Sequence, residues 1–230
     1  MIQLASRMLG VLLLASAAHA VPVTFSDGTF ADVNWSAAKL IDSTAGAAAT
    51  FSAGQGAAGG NPGSYRQVTH TFNVGDIFVG HLLNAAVYDP AVSGAIATID
   101  YGYDLISLNP SPNEQVFYAI LLFQNGTYYR SAGEVVVTSP SWSAFSRTGL
   151  VATQFIRMVG SGPAAPDFSA SASPVTAGYW SANTSTGGLH TTVSLIDNWT
   201  IRFNPVVTPE PEIAVLLAIG LACLAGRARR

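Results

Sequence analysis

Short runs of alternating apolar and polar residues fill the middle of this chain, and they constrain the fold more than any other feature. In the clearest run, residues 97–105, the odd positions from 99 on are all apolar: Ile99, Tyr101, Tyr103 and Leu105. A period of two is the repeat of a half-buried β-strand, because successive side chains of a strand point to opposite faces. Residues 21–205 show no convincing amphipathic helical repeat, so we predict an all-β body.

Further strands are predicted in the same way at 66–72, 76–88, 115–124, 134–138, 150–159 and 189–203. The run 115–124 is apolar on both faces, which is typical of a central strand. It ends at Asn125-Gly126, a strong hairpin signal because both turn residues need positive φ. These strands predict a two-sheet antiparallel β-sandwich over residues 21–205. The Gly-rich segment 45–63 is predicted to be a loop, and the Gly-rich segment 161–188 is assigned no strand.

Asp197 interrupts the apolar side of the last predicted strand. The other odd positions from Val193 to Phe203 are apolar, so an unbroken strand would turn Asp197 to the buried side. Either a β-bulge at Asp197-Asn198 turns the carboxylate outward, or it points inward and needs hydrogen-bond partners. We favour the bulge.

The composition excludes several functions. Charged residues are 10% of the 230 and the net charge is −3, which argues against nucleic acid, because phosphates require clustered Lys and Arg. One cysteine rules out an internal disulfide and a cysteine-based zinc site. Glu114 and Glu134 fall on different strands, and Asp100 and Asp104 would lie about 13 Å apart on one strand. No glycosidase pair or hydrolase motif is therefore indicated, and we predict that the protein is not an enzyme.

The N-terminus predicts a secretory signal peptide over residues 1–20. Arg7 precedes an apolar run at 8–18, and Ala18 and Ala20 form an A-x-A cleavage pattern. The run is about half of the roughly 20 residues that span a membrane, which disfavours an anchor. We predict export through the Sec machinery, cleavage after Ala20 and Val21 as the new N-terminus.

Three features follow one another at the C-terminus, over residues 206–230. They are a Pro-Glu-Pro triplet, a predicted transmembrane helix at about 212–226, and an Arg-rich end at 227–230 (Pro209, Glu210, Pro211; Arg227, Arg229, Arg230). The prolines keep the triplet extended and outside the helix. The arginines would remain on the cytoplasmic side of the membrane, which leaves the body outside.

This tail resembles a PEP-CTERM sorting signal, since all three parts stand in order at the end of a chain that begins with a signal peptide. The resemblance implies an exosortase as partner, the membrane cysteine transpeptidase of Gram-negative bacteria that processes such tails. It also implies an inner-membrane intermediate, held by the C-terminal helix, before release to the cell surface or a biofilm matrix. An ordinary C-terminal anchor that is not cleaved is the alternative.

The body resembles concanavalin-like and carbohydrate-binding jelly rolls in three short segments. These are Asp27-Gly28-Thr29-Phe30 followed by Trp35, the Gly-Asn-Pro-Gly sequence at 60–63, and the closing Asp197-Asn198-Trp199. The resemblance implies a jelly-roll sandwich, a fold shared by lectins, carbohydrate-binding modules and some glycosidases, so it does not decide function. Structural calcium is common in such folds, and Asp27 and Asp197 are the predicted ligands; no other cofactor is indicated.

Extracellular polysaccharide is the predicted partner of the body. Sugar sites use aromatic rings that stack on pyranose faces, and the candidates are Trp142, Trp180, Tyr128, Tyr129 and Tyr179. Trp35 and Trp199 are assigned to the core. The alternatives are a structural or adhesive surface protein without a ligand and, less favoured, a secreted glycan-cleaving enzyme. An aromatic row on an exposed sheet face would favour binding, whereas buried aromatics would favour the structural alternative.

Overall fold

The computed structural model describes residues 21–109, 114–133 and 135–207. The predicted signal peptide with Ala18 and Ala20, and the predicted sorting signal from residue 208 on, lie outside the described residues. Residues 21–206 form one compact unit. Across the described ranges, no helix has the length and apolar character needed to cross a membrane.

The described residues form thirteen β-strands, one short α-helix and two single-turn 3₁₀ helices. The strands are β1 (Val23–Asp27), β2 (Trp35–Asp42), β3 (Thr50–Gly60), β4 (Gly63–Phe72), β5 (Gly75–Tyr88), β6 (Ile96–Ser107), β7 (Glu114–Gln124), β8 (Thr127–Ser131), β9 (Val135–Val137), β10 (Ser143–Leu150), β11 (Phe155–Val159), β12 (Val175–Ser185) and β13 (His190–Pro205). The helix α1 is Pro90–Ser93, and the 3₁₀ helices are Asp32–Asn34 and Ala152–Gln154.

The strands pair in two sheets, and every pairing is antiparallel. The first sheet has the order β10-β6-β13-β4-β3, with β1 also paired to β13. The second has the order β11-β8-β7-β12-β5-β2, with β9 also paired to β7. The predicted two-sheet antiparallel sandwich is therefore confirmed. The predicted central strand is β7, which pairs on both sides, and Asn125 and Gly126 form its hairpin to β8 with φ of 50° and 73°.

The inner faces of the sheets bury a hydrophobic cluster rich in aromatic rings. Trp35 of the second sheet meets Trp199 of the first edge-on, with ring centroids 5.4 Å apart. Tyr103 and Tyr118 make a second contact between the sheets at 6.5 Å. Trp35 and Trp199 are both buried, as predicted. Such rings carry much of the area that a sandwich removes from water.

Two sequence predictions of irregular structure are wrong or incomplete. Strand β3 occupies most of the segment 45–63 that was expected to be a loop, and the central strand β12 lies within 161–188. Gly and Ala have low strand propensity, but pairing with β4 outweighs it. The Tyr65 ring lies over Gly56, where a Cβ would be 2.2 Å from the ring, so a larger residue there would displace the ring.

The predicted strand 150–159 is two strands in different sheets. β10 of the first sheet ends at Leu150, a 3₁₀ turn follows at Ala152–Gln154, and β11 of the second sheet begins at Phe155. Leu150 and Phe155 are both buried in the core. The apolar residues that suggested one strand therefore mark the two ends of a crossover between the sheets.

Asp197 lies beside a β-bulge, as we favoured. The pairing of β13 with β6 shifts between Asp197 and Thr200, and Asn198 has φ of 50°. Ile196 before the bulge and Trp199 after it both face the core, so Asp197 lies on the outer face of the first sheet. It is nevertheless buried, and the backbone N–H groups of Asn61 and Asn198 donate to its carboxylate.

Candidate functional site

The second sheet is strongly curled. Its two edge strands, β2 and β11, come within 8 Å of each other. In a flat sheet, five strand spacings of about 4.8 Å would hold them about 24 Å apart. Register shifts interrupt the pairings of β2 with β5, β5 with β12, and β8 with β11. Such bulges bend strands and increase their twist, which accounts for the curl.

The face turned away from the first sheet is the concave one. Leu121 on β7 and Gly80 on β5 lie on this face with β12 between them, yet Leu121 Cδ2 would be 2.8 Å from a Cβ built at Gly80. Strands two apart are separated by about 9.6 Å, so their side chains meet in this way where a face is concave. Gly178 on β12 lies opposite Leu121 and Leu82 and has no side chain to separate them.

Five aromatic side chains share this concave face: Phe78, Phe117, Phe123, Tyr128 and Trp180. We call these residues, together with Arg130, the aromatic groove. The first four are partly exposed, whereas Trp180 is only 3% exposed. The residues opposite Trp180 on the neighbouring strands are Gly80 and Ala119, and these small residues leave room for the indole.

The ring contacts within the groove are well defined. Phe78 meets Trp180 at 5.2 Å and 64°, and the Arg130 guanidinium lies 5.3 Å from the Trp180 ring centroid, a cation–π contact. Phe123 and Tyr128 pack at 4.7 Å. Burial raises the pKa of Tyr128, so its phenol is neutral and can both donate and accept a hydrogen bond. The Trp180 Nε1–H is buried without a hydrogen-bond partner.

Of the five predicted ligand-binding aromatics, the structure brings Tyr128 and Trp180 together in the groove. The prediction is wrong for Tyr129 and Tyr179, which face the core and are fully buried. The reason is the strand repeat itself, since residues next to each other on a strand point to opposite faces. Trp142 is partly exposed and directly precedes β10, at an edge of the first sheet, away from the groove.

Sequence reasoning missed four groove residues, namely Phe78, Phe117, Phe123 and Arg130. Phe117 and Phe123 stand an even number of positions apart on β7, which is a signal that they share a face. That signal was obscured because β7 is apolar on both faces. The pairing partner that completes the groove, β12, was not assigned to a strand at all.

The donors around Asp27 do not fit a calcium ion. One carboxylate oxygen accepts hydrogen bonds from Thr29 N, Thr29 Oγ1 and Phe30 N at 2.7–2.9 Å, and the other from Trp35 Nε1 at 2.8 Å. Burial works to raise the pKa of Asp27, but these bonds outweigh it and lower the pKa. Their hydrogens point to where a cation would bind. Calcium at Asp27 is therefore disfavoured. Asp197 has different hydrogen-bond partners, and calcium at that residue stays a prediction.

Two carboxylates face each other across β6 and β13 of the first sheet, Asp104 and Asp197. Asn61 Nδ2 and Asn198 Nδ2 donate to Asp104 at 3.1 and 2.6 Å. Both acids are buried, with their oxygens engaged by these two asparagines, so this pair does not line an open cleft as a glycosidase pair would. Within the described ranges, no group of three or more His, Cys, Asp or Glu could hold a metal ion.

A buried hydrogen-bond network links the sheets on the inner side of the groove strands. His81 Nε2 contacts Ser181 Oγ at 3.0 Å, Ser181 Oγ contacts His70 Nε2 at 3.3 Å, and His70 Nδ1 contacts Asn183 Oδ1 at 2.6 Å. Burial lowers the pKa of His70 to about 4 and the pKa of His81 well below its ordinary value. Both imidazoles are therefore neutral at physiological pH. They are inaccessible from solvent, which indicates a structural role.

Fold and groove together define an antiparallel β-sandwich with a concave aromatic face on one sheet. No protein-family model matches the chain, and no curated protein sequence matches it significantly. The chain is similar to the solved family 11 carbohydrate-binding module of Clostridium thermocellum in complex with a β-1,3-1,4-mixed-linked tetrasaccharide. The two are 18% identical with a TM-score of 0.46, over 84% of this chain and 100% of that one.

A second similar structure is the CBM22-1 xylan-binding domain from Paenibacillus barcinonensis, which is 11% identical with a TM-score of 0.40, over 83% of this chain and 97% of that one. A third is an exo-β-agarase, 11% identical with a TM-score of 0.42, of which the match covers 26% of the chain, against 79% of this one. The first two are carbohydrate-binding domains, the class that the sequence of the body resembles. Because these TM-scores are below 0.5, the description of the fold rests on the strand pairing of this structure and not on the similarities.

Proposed function

We propose that this protein is a non-catalytic polysaccharide-binding protein and that the aromatic groove is its binding site. The observation that carries the proposal is the row of aromatic side chains on a concave sheet face. A sugar ring presents C–H groups that pack on an aromatic ring, and concave sites with aromatic linings and a few polar groups are typical of ligand binding.

The dimensions of the groove suit a chain of sugars. Its aromatic residues lie on β8, β7, β12 and β5, which are four consecutive strands. Measured along the curled sheet, three strand spacings amount to about 14 Å, a path longer than one sugar ring. Tyr128 and Arg130 supply a phenol and a guanidinium for ring hydroxyls. Apolar surface directed outward is costly for a soluble domain unless it binds something, which favours a binding role over a purely structural one.

We further propose that the protein is exported and sorted by an exosortase to the cell surface or extracellular matrix, as its tail resembles a PEP-CTERM signal. The boundaries of the sandwich support this route. Val21 is exposed and lies two residues before β1, and β13 ends at Pro205. Loss of residues 1–20 and of the tail would therefore leave every described strand intact.

Affinity gel electrophoresis tests the binding site. The full-length chain, in a polyoxyethylene detergent that contains no sugar, is run through gels with and without soluble xylan, mixed-linkage glucan, agarose or acetylated chitosan. We expect at least one polysaccharide to retard the protein and Tyr128→Ala to weaken this retardation about tenfold, since stacking and hydrogen bonding are lost together.

Tyr65→Ala is the matched control, because Tyr65 is a partly exposed tyrosine on the outer face of the other sheet. It should leave retardation unchanged. Retardation lost in Tyr65→Ala and kept in Tyr128→Ala would move the site to the shallow groove that Tyr65 lines with Gln67 and Ser52. No retardation by any of these polysaccharides would contradict the proposed function.

A further inference from the structure

We infer that the aromatic groove selects polysaccharides that carry acetyl groups, as N-acetyl or O-acetyl substituents. This inference rests on the proposed function, and it names the chemical class of ligand that the same site takes. Its basis is one unsatisfied donor in apolar surroundings, the indole Nε1–H of Trp180.

The indole N–H is a donor and has no acceptor capacity, so an acceptor atom is what it lacks. Trp180 is 3% exposed, and its Nε1 has neither water contact nor a hydrogen-bond partner. A buried donor in this state raises the free energy of the unliganded protein. A ligand that brings an acceptor oxygen to Nε1 would remove that penalty, which a ligand without one cannot do.

The groups around Trp180 restrict what else the ligand can carry. Leu40, Phe78, Leu82 and Leu121 belong to the same cluster, and the side chains of Leu40 and Leu121 close over Gly80. A hydroxyl oxygen could accept from Nε1, but its own O–H would find no acceptor among these apolar groups, and a carboxylate would lose far more. An acetyl group fits both conditions, because its carbonyl oxygen accepts from Nε1 while its methyl group packs against the leucines.

Arg130 controls access to this position. Its guanidinium lies 5.3 Å from the Trp180 ring centroid, so an acetyl group reaches the indole after the arginine side chain rotates away from the ring. In its new position the guanidinium can donate to the hydroxyl or ring oxygens of the sugar that carries the acetyl group. The site thus combines one acetyl position with polar contacts at its rim.

Matched pairs of ligands test the inference. Hexa-N-acetylchitohexaose and cellohexaose have the same β-1,4-linked backbone and differ by a 2-acetamido group in place of the 2-hydroxyl, and acetylated xylan can be compared with the same xylan after alkaline deacetylation. Binding of each to the full-length chain is measured by isothermal titration calorimetry in the sugar-free detergent. We expect the acetylated member of at least one pair to bind about tenfold more tightly, which corresponds to about 1.4 kcal/mol.

Trp180→Phe keeps an aromatic ring and removes the N–H, so it should abolish this preference while retaining binding. Trp199→Phe is the matched control, because it removes another buried indole N–H without a partner, but in the core between the sheets. It should keep the preference, and thermal melting confirms that both variants are folded.

Three results would overturn the inference. Equal binding of acetylated and plain ligands would refute the acetyl preference and leave the proposed function standing. A preference that survives in Trp180→Phe would show that Nε1 is not its source. Failure of all four ligands, together with failure of the polysaccharide gels, would contradict the inference and the proposed function alike.

Discussion

Acidification between pH 7.5 and pH 5 should destabilise this protein through its buried histidines. His70 is buried between the sheets, and its burial lowers its pKa from 6.5 to about 4. Above pH 6.5 the imidazole is neutral in both the folded and the unfolded protein, so it adds no pH dependence. Below pH 6.5 the unfolded chain gains a proton that the folded protein does not take up, so the free energy of unfolding falls until about pH 4.

The size of the loss follows from the two pKa values. Each pH unit between them is worth about 1.36 kcal/mol, which gives about 3 kcal/mol in full and about 2 kcal/mol by pH 5. The lowered pKa of His81 adds a loss of the same sign. Asp27 has a lowered pKa as well, but a carboxyl begins to affect stability below this window, near its unfolded value of 3.8.

Urea unfolding of the full-length chain, followed by tryptophan fluorescence at pH 7.5, 6 and 5, measures this loss. The His70→Gln variant should lose about 2 kcal/mol less than the wild type between pH 7.5 and 5. Gln67→Ala is the control, since Gln67 is an exposed residue without a titratable group on β4, the strand that carries His70, and it should keep the wild-type dependence. A free energy of unfolding that is unchanged from pH 7.5 to 5 in the wild type would refute the reasoning.

Three further predictions concern the curl of the second sheet and the two ends of the chain. Gly178→Ala should destabilise the fold by about 3 kcal/mol or more in urea unfolding, because its Cβ would lie 1.8 Å from the His81 carbonyl oxygen, whereas Gly188→Ala, with open space, should be nearly neutral. N-terminal sequencing of the exported protein should begin at Val21, and a retained Met1 would contradict the predicted signal peptide. Replacing the 209–211 triplet by alanines should leave membrane insertion intact and trap an uncleaved form on immunoblots; an intact tail in the mature wild-type protein would mean a plain anchor.

The sequence predicted the fold class well because alternation is a local signal. In β6 the apolar side is the buried side, and Asn125-Gly126 forms the predicted hairpin between β7 and β8. The bulge at Asp197 was predictable for the same reason, since one polar residue broke an otherwise regular repeat. Errors arose where partners decide the conformation, as in β3, whose glycines form a strand because β4 and the Tyr65 ring hold them.

The candidate site was only partly predictable. Residue type indicated Trp180 and Tyr128 as binding residues, but it indicated Tyr129 and Tyr179 equally. Each of these two lies next to a groove residue on the same strand and therefore faces the core. Which face is outward, and that this face is concave, depends on bulges and on long-range pairing of β12 with β5 and β7. Those pairings join residues about 50 to 110 positions apart, and no local pattern encodes them.

The indole N–H signals of the four tryptophans test the central claim most directly, because each reports one place in the fold. Trp180 lies in the aromatic groove, Trp35 and Trp199 lie in the core, and Trp142 precedes β10 at the edge of the other sheet. The four ¹H–¹⁵N signals are assigned with single Trp→Phe variants and followed while a retarding polysaccharide is added. The account predicts that the Trp180 signal shifts and the other three stay in place. A shift of Trp142 with Trp180 unmoved would contradict it.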